Sequence, residues 1–320
     1  MAKARRGKRI PACSQVMHIA RYFISSRKHS QQMMAFLAAL SETASPAGKG
    51  ASMFDQTMTT TLPRAHGILR AGFVRADGRT RLARLHQAGS AKAMLPPGAA
   101  CELVLLNTSG GLTGGDRMQI AVEQAQGTRL VATTQTAERA YRSVTGRAKV
   151  SARFSVAPGA HLDWLPQETI LFDRSALLRD QEIALQGDAS CLWCESLILG
   201  RAAMGEVLQR VDLTDRRRVT RDGRPVFMEN LRLNDATLAQ DGPARLAGCR
   251  AFATLVLVAP DAGDRLGPAR AALGRDGAAS AFDGKLVARL MAGDGWPLRQ
   301  ALIRLIRAIR PGPLPRVWQI

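Results

Sequence analysis

Aromatic residues are scarce in this sequence of 320 residues, where Phe, Trp and Tyr together account for 5%. Four tryptophans and two tyrosines leave few rings for base stacking, so a stacking platform for single-stranded nucleic acid is not expected. Acidic residues are also few, since 26 Asp and Glu face 45 Lys and Arg and the formal net charge is +19. An excess of bases indicates an anionic partner or surface, which keeps nucleic-acid binding open as an alternative.

Cysteines are few and scattered. An odd number without regular spacing predicts no disulfide framework and is typical of a protein of the reducing cytoplasm. One C-x-x-C occurs, but its surroundings, ASCLWCESLIL, are typical of a strand, where residues three apart face opposite sides and do not share a zinc ion. The five are Cys13, Cys101, Cys191, Cys194 and Cys249.

The first fifty residues differ from the rest, with nine Lys or Arg against one acid, Glu42. They have the composition of a transit peptide, but their longest apolar run, Met33–Leu40, is too short to cross a membrane. We expect residues 1–57 to form a disordered basic extension, or translation to begin at a later methionine. Residues 58–320 are predicted to form one large β domain, and no membrane partner is expected.

Short segments of alternating polarity, bounded by Gly, Pro or Asp, dominate the remainder and predict a mostly β fold. The apolar segment Ala251–Ala259 predicts a central strand that is covered on both faces. The other predicted strands are His66–Arg75, Arg81–Gln87, Glu102–Leu106, Met118–Glu123, Thr128–Gln135, Ala148–Val156, Leu178–Gln186, Val207–Leu213 and Phe227–Leu233.

Helical patterns are few. Six apolar residues from Leu298 to Ile309 recur at helical spacing and predict an amphipathic C-terminal helix whose apolar stripe faces the core. Pro297 suits the first turn of this helix, and Pro311 ends it. Weaker patterns predict helices over residues 261–273 and 282–290.

A glycine-rich loop follows the predicted strand Glu102–Leu106 and is the most informative segment. Four glycines between residues 110 and 115 predict backbone at positive φ or in close contact with other groups. A P-loop needs Lys and Ser or Thr after the last glycine, and a dinucleotide site needs a helix, whereas Asp116, Arg117 and a strand follow here. The loop therefore predicts a carboxylate held at the mouth of a sheet, or a tight structural turn.

Further segments place polar residues in apolar surroundings. Glu168, in WLPQETILF, is expected to be partly buried, which costs free energy unless the carboxylate is paired or ligating. Each such residue can equally form an internal ion pair or a turn cap. The others are Arg201 and Glu206 in GRAAMGE, Arg139 and Tyr141 in TTQTAERAYR, and Glu229 in FMENLRL.

Together these motifs resemble the family of the urease accessory protein UreD, named UreH in some bacteria. The glycine loop ending GGD at Asp116, TTQTAERAYRS, WLPQETILF, GRAAMGE and the closing LPRVW occur in the family's order, from about Thr61 to the C terminus. The resemblance implies a mostly β fold of layered, helically stacked strands in one large domain, with about two helices.

The resemblance also implies a maturation factor without catalytic activity that binds urease apoprotein and the accessory protein UreF and, through UreF, the GTPase UreG. No cofactor is expected to be tightly bound, and nickel would pass through an internal tunnel. Asp116, Glu168 and Glu206 would supply carboxylates to this path. Further motif candidates are Arg201, Glu229, Arg139 and Tyr141, and the tail residues Leu314, Arg316 and Trp318 would contribute to contact with UreF.

Sparse carboxylates suit transient passage of nickel, because imidazole and thiolate sites hold this ion tightly. Two other classes of function remain open. A hydrolase with paired carboxylates needs a cleft with two carboxyl groups roughly 5 to 9.5 Å apart. A nucleic-acid-binding protein needs an arginine-lined face with exposed aromatic rings.

Overall fold

The computed structural model describes residues 63–240, 242 and 245–319, and the predicted basic extension, residues 1–57, lies outside the described residues. Alternation of polar and apolar side chains gives seventeen strands in the described part. They are β1 (His66–Ala76), β2 (Arg79–Gly89), β3 (Ala91–Met94), β4 (Cys101–Asn107), β5 (Arg117–Gln124), β6 (Arg129–Thr134), β7 (Glu138–Ala140), β8 (Ala148–Val156), β9 (His161–Leu165), β10 (Thr169–Leu171), β11 (Ser175–Leu185), β12 (Ser190–Leu199), β13 (Val211–Arg221), β14 (Arg224–Leu233), β15 (Ala251–Val258), β16 (Gly277–Phe282) and β17 (Lys285–Ala292).

The strands form two sheets. The first has seven strands in the order β14-β13-β11-β8-β5-β1-β2. The second has ten, in the order β16-β17-β15-β12-β9-β6-β4-β3, and β10 joins it beside β12 with β7 paired to β10. Pairing is parallel from β1 to β13 in the first sheet and from β4 to β12 in the second, while the outer pairs are antiparallel.

The chain alternates between the sheets, because β4, β6, β9 and β12 of the second sheet lead to β5, β8, β11 and β13 of the first. Each crossing and return makes one coil, and successive coils stack in register, as in the pairing of Lys149 with Arg117 on one side and Leu178 on the other. This layered, solenoid-like arrangement confirms the mostly β fold that the sequence predicts.

The main core lies between the two sheets and contains side chains from both, including Phe73 and Phe154 of the first and Leu162 and Trp193 of the second. A second core covers the outer face of the second sheet. Cys191 belongs to the first core and Cys194 to the second, so their thiols face opposite sides of β12, as predicted.

Three α-helices occur in the described residues: α1 (Asp235–Leu238), α2 (Leu266–Leu273) and α3 (Gly295–Ile309). Asp294 caps the N terminus of α3, and its side chain accepts a hydrogen bond from the Gly295 amide. The predicted apolar stripe of α3 is buried against the second sheet. Helix α2 packs beside it. No helix in the described residues is long and apolar enough to span a bilayer.

Two predicted elements are wrong. Residues 282–290, predicted as a helix, end β16 and form most of β17, because Leu286, Ala288 and Leu290 alternate toward the core at period two. The strand predicted at Val207–Leu213 begins only at Val211 and continues to Arg221. Its second half, DRRRVTR, is rich in charge, and two of these charged side chains, Asp215 and Arg217, are buried.

Candidate functional site

Four segments that carry the chain from the second sheet to the first lie at one end of the sandwich. They are residues 108–116, 135–147, 166–174 and 200–210, and we call this the crossover end. Parallel strands place their carboxyl ends at the same edge of a sheet, so these segments are neighbours. Backbone hydrogen bonds join them: Leu112 donates to the Arg139 carbonyl at 2.7 Å, and Arg174 donates to the Arg210 carbonyl at 2.8 Å. The motifs GGD, TTQTAERAYR, WLPQETILF and GRAAMGE thus meet at one place.

The glycine loop needs its glycines for the two predicted reasons. Gly110, Gly111 and Gly115 have positive φ, at 77°, 154° and 93°. Gly114 lies in close contact instead, since a Cβ atom there would be 2.0 Å from the Ser143 hydroxyl. The loop therefore packs directly on the segment 135–147.

Asp116 is buried and fixes this loop. One carboxylate oxygen accepts a hydrogen bond from the Ala65 amide and the other from the Thr113 amide, both at 2.8 Å. Because both oxygens already accept backbone hydrogen bonds, the carboxylate holds the start of β1 to the glycine loop. This geometry favours the structural interpretation of the motif.

Arg201 and Glu206 meet in one turn. The guanidinium of Arg201 donates to both carboxylate oxygens of Glu206, at 2.8 and 3.1 Å, and stacks 4.3 Å from the ring centroid of Phe172. The hydrogen bond from Arg201 is the main reason that the pKa of Glu206 lies below its ordinary value. Tyr141 packs edge-on against the same Phe172 ring and donates to the Gly110 carbonyl at 3.0 Å.

Glu168 lies on the side of the second sheet that faces α3. Its carboxylate is half-buried and 3.4 Å from the guanidinium of Arg299, which also bonds the side chain of Gln167 and the Val317 carbonyl. The Arg299 guanidinium lies 5.0 Å from the ring of Trp318. Glu168 therefore belongs to the anchor of the C-terminal tail.

The structure places two of the three predicted tail residues in the core. Leu314 and Trp318, predicted as contacts for UreF, are buried in the core beneath α3, and the indole of Trp318 donates to the Leu165 carbonyl at 3.0 Å. Only Arg316 of the three is exposed, and its guanidinium donates to the Pro97 carbonyl at 3.3 Å. Apolar tail residues in the pattern LPRVW seal the core instead of offering a surface.

A cavity of about 170 Å³ lies between the sheets beneath the crossover end. Its mouth is lined by Asn107, Glu138 and Arg139, and deeper it is lined by Gln181 and Glu195, among others. Burial raises the pKa of Glu138, and hydrogen bonds from the Asn107 side chain at 3.1 Å and from the Arg139 amide at 3.0 Å offset this effect only in part. No arginine forms an ion pair with Glu138 among the described residues.

A chain of buried ion pairs joins the two sheets, beginning with Arg179 and Glu195 in the cavity wall. Arg179 lies 2.9 Å from Glu195 of the second sheet and 2.6 Å from Asp215. Arg217 bonds the same Asp215 at 2.5 Å and Glu229 at 2.8 Å. Burial alone would raise the pKa of Asp215, but the two guanidiniums lower it to about 2. Glu229, a motif candidate from the sequence, thus belongs to this ion-pair network, and its second oxygen pairs with Arg289 of the second sheet.

The three acids predicted for a nickel path occupy separate positions. Asp116 clamps the glycine loop, Glu206 holds the turn at residues 201–206, and Glu168 anchors the tail. None of them lines the cavity, whereas Arg139 does. In residues 63–240, 242 and 245–319, no group of three or more His, Cys, Asp or Glu is arranged to hold a metal ion.

Sequence reasoning missed the acids that do line the cavity, Glu138 and Glu195. The burial of Glu195 could have been predicted from the sequence, because the apolar residues Cys191, Trp193 and Leu197 share its face of β12, and all three are buried. Glu138 belongs to the motif TTQTAERAYR, but nothing in that motif distinguishes it from the exposed Arg139 and Arg142 that follow it.

The family model described as UreD urease accessory protein matches residues 65–319. A urease accessory protein UreD of Cereibacter sphaeroides (strain ATCC 17025) is 54% identical over 264 residues, which cover 81% of this chain and 96% of that protein. The UreD of Paracoccus denitrificans (strain Pd 1222) is 49% identical over 274 residues, covering 84% and 97%, and that of a Jannaschia species (strain CCS1) is 50% identical over 266 residues, covering 82% and 98%. The chain therefore belongs to the UreD family of urease accessory proteins.

Proposed function

We propose that this chain is a non-enzymatic scaffold that binds urease apoprotein and UreF in the cytoplasm, reaches UreG through UreF, and passes nickel to urease through the cavity beneath the crossover end. Family membership gives the coarser role, in urease maturation. Nickel is a cargo in this proposal, and no cofactor is tightly bound. The four described cysteines are free, as is usual in a reducing compartment.

The observation that carries the proposal is the position of Glu138 at the cavity mouth. Its carboxylate is largely removed from water, and its neutral hydrogen-bond donors and the nearby charges of Arg139 and Arg179 offset the cost of burial only in part, so its pKa is raised. A divalent cation that enters the mouth can contact this carboxylate directly, which neither arginine does as an ion pair. One carboxylate with amide and hydroxyl oxygens binds nickel weakly enough to release it, in contrast to clusters of His and Cys.

The route that we propose differs from a path through Asp116, Glu168 and Glu206. Both oxygens of Asp116 accept backbone hydrogen bonds, and Glu206 and Glu168 each face an arginine. These acids shape the mouth and hold the tail. Deeper in the cavity Glu195 also faces an arginine, Arg179, so the cargo meets carboxylate charge chiefly at Glu138.

A substitution of the same shape tests the route. In Glu138→Gln the side chain keeps one oxygen that can accept from Asn107, but it loses the negative charge and the second accepting oxygen that faces the Arg139 amide. We expect nickel content per urease active site, measured by elemental analysis after in vitro activation, to fall several-fold. The matched control is Glu123→Gln on the outer face of β5, where the side chain is 62% exposed, and it should load nickel normally.

Pull-down with purified urease apoprotein and with UreF separates the two parts of the proposal. Both variants and the wild type should bind each protein equally, because residue 138 lies inside the mouth. If the wild type binds neither protein, the scaffold role is wrong. If Glu138→Gln binds both and loads nickel at the wild-type level, the scaffold role stands and the cavity route is wrong.

A further inference from the structure

The crossover end exposes aliphatic side chains that the fold does not use. Met204 is 73% exposed, Val207 is 67% exposed and Val144 is 84% exposed, with Tyr141 partly exposed beside them. Apolar side chains that stand singly on a surface need no explanation, but several on adjoining loops mark an interaction site.

Backbone hydrogen bonds place these side chains on adjoining loops. The Ser143 amide donates to the Arg174 carbonyl at 2.9 Å, and the Arg174 amide donates to the Arg210 carbonyl at 2.8 Å. Segment 172–174 therefore lies between the loop of Val144 and the loop of Met204 and Val207, and it is bonded to both.

The turn that carries Met204 is fixed although it has no buried residue of its own. A single turn of 3-10 helix, Ala202–Met204, ends at Gly205 with φ of 67°, and the Arg201–Glu206 pair closes its base. A prearranged turn loses little conformational entropy on binding. Methionine at its tip has a flexible thioether that adapts to an apolar pocket. The GRAAMGE motif therefore forms a fixed turn on which Met204 is exposed.

The surroundings of these residues are positively charged. Three exposed arginines have no carboxylate within ion-pair distance among the described residues: Arg139, Arg142 and Arg210. The nearby acids Glu206 and Asp173 already form ion pairs with other arginines. A complementary surface therefore carries carboxylates around an apolar pocket. Exposed aliphatic groups do not stack on bases, so a folded protein suits this surface better than a nucleic acid does.

We propose that the crossover end carries the docking surface for a protein partner that presents an apolar pocket bordered by carboxylates. This surface consists of Met204, Val207 and Val144, with Arg139, Arg142 and Arg210 around them. The inference rests on the proposed scaffold function and names the face that a maturation partner binds. The same end holds the mouth of the cavity, with Arg139 in both. A partner docked there covers the mouth and receives or delivers its contents without exposure to solvent.

Met204→Asp tests the surface, with Met228→Asp as matched control. Met228 is 66% exposed on β14, where it pairs with Arg218, far from the crossover end of β13. Binding of the full chain to purified urease apoprotein and to purified UreF is measured by titration calorimetry. We expect Met204→Asp to weaken at least one of these complexes tenfold or more and Met228→Asp to leave both unchanged. Arg142→Glu, which alters only charge, should weaken the same complex and reduce its dependence on salt.

Thermal unfolding establishes that Met204→Asp is folded, and Val144→Asp provides a second variant on the other loop. If the wild type binds a partner and all three crossover-end variants bind it equally well, the surface is assigned wrongly and the scaffold function stands. If the wild type binds neither protein, both the scaffold function and this surface are overturned.

Discussion

Asp215→Asn is the sharpest test of how the two sheets are held together. Asp215 is fully buried and accepts hydrogen bonds from Arg179 and Arg217, both of which are themselves buried. Asparagine has nearly the same shape, but it removes the charge and turns an amide N–H toward the guanidiniums. Of their ion pairs, the buried Arg179 then keeps the one with Glu195 and the buried Arg217 keeps the one with Glu229.

Breaking a buried ion pair by removal of one partner costs about 3–5 kcal/mol, since a buried charge loses its compensation. In a domain of this size each kcal/mol lowers the melting temperature by roughly 2–4 °C. We therefore expect Asp215→Asn to melt roughly 6–20 °C below the wild type. Calorimetry or circular dichroism of the full chain measures this difference.

Asp212→Asn is the matched control, three residues away on the same strand. Asp212 pairs with Arg147 at the surface, where the two side chains are 45% and 41% exposed, and such a pair contributes at most about 1 kcal/mol. If the two variants melt at the same temperature, the buried network does not hold the sheets together and the reasoning is refuted.

Acid titration gives an independent check of the same group. The pKa of Asp215 is lowered in the folded state to about 2, from an ordinary value of 3.8. A lowered pKa stabilises the fold above the ordinary value, and this contribution is lost as the pH falls through the folded pKa. The difference in unfolding free energy between wild type and Asp215→Asn should therefore be constant above about pH 4 and shrink toward pH 2.

Three further predictions concern packing. Gly114→Ala should cost roughly 1–3 kcal/mol in chemical unfolding, because its Cβ atom would lie 2.0 Å from a serine hydroxyl, while Gly267→Ala, in open space on α2, should cost nothing. Trp318→Ala should cost about 3–5 kcal/mol in the same assay, and a loss below about 1 kcal/mol would contradict its place in the core. Burial raises the pKa of Cys191 to about 12 and also raises the pKa of Cys194 well above its ordinary value. Neither thiol should therefore react with an alkylating reagent in the native protein at neutral pH, and both should react after unfolding, as measured by mass spectrometry.

Much of the fold is readable from the period of the sequence, because each strand has one face in a core. The helix predicted over residues 282–290 was wrong because the period of apolar residues is ambiguous in a short segment. Apolar residues at 286, 288 and 290 fit a strand as well as a helix. Tertiary pairing with β15 decides for the strand. The apolar pattern distinguishes a helix from a strand only over a longer segment, such as the fifteen residues of α3.

The ion-pair network shows where sequence reasoning stops. Alternation places Arg179 on the buried face of β11 with Leu177 and Ile183, and it places Asp215 on the buried face of β13 with Leu213 and Val219. The inward position of these two charged residues could be predicted from the sequence, and it indicates that each has a buried partner. Their pairing was not readable, because it depends on β11 and β13 being neighbours in a parallel sheet, 36 residues apart in sequence.

The most recognisable motifs of this chain shape loops, and this changes how their variants are interpreted. Asp116 holds backbone amides and Glu206 holds a turn, so replacing either deforms the crossover end whether or not nickel ever contacts it. Reduced urease activation in an Asp116→Ala variant therefore does not identify a nickel ligand. Glu138→Gln changes charge at the cavity mouth and keeps the loops that Asp116 and Glu206 hold. Nickel loading in that variant separates a path for the ion from the scaffold that forms its entrance.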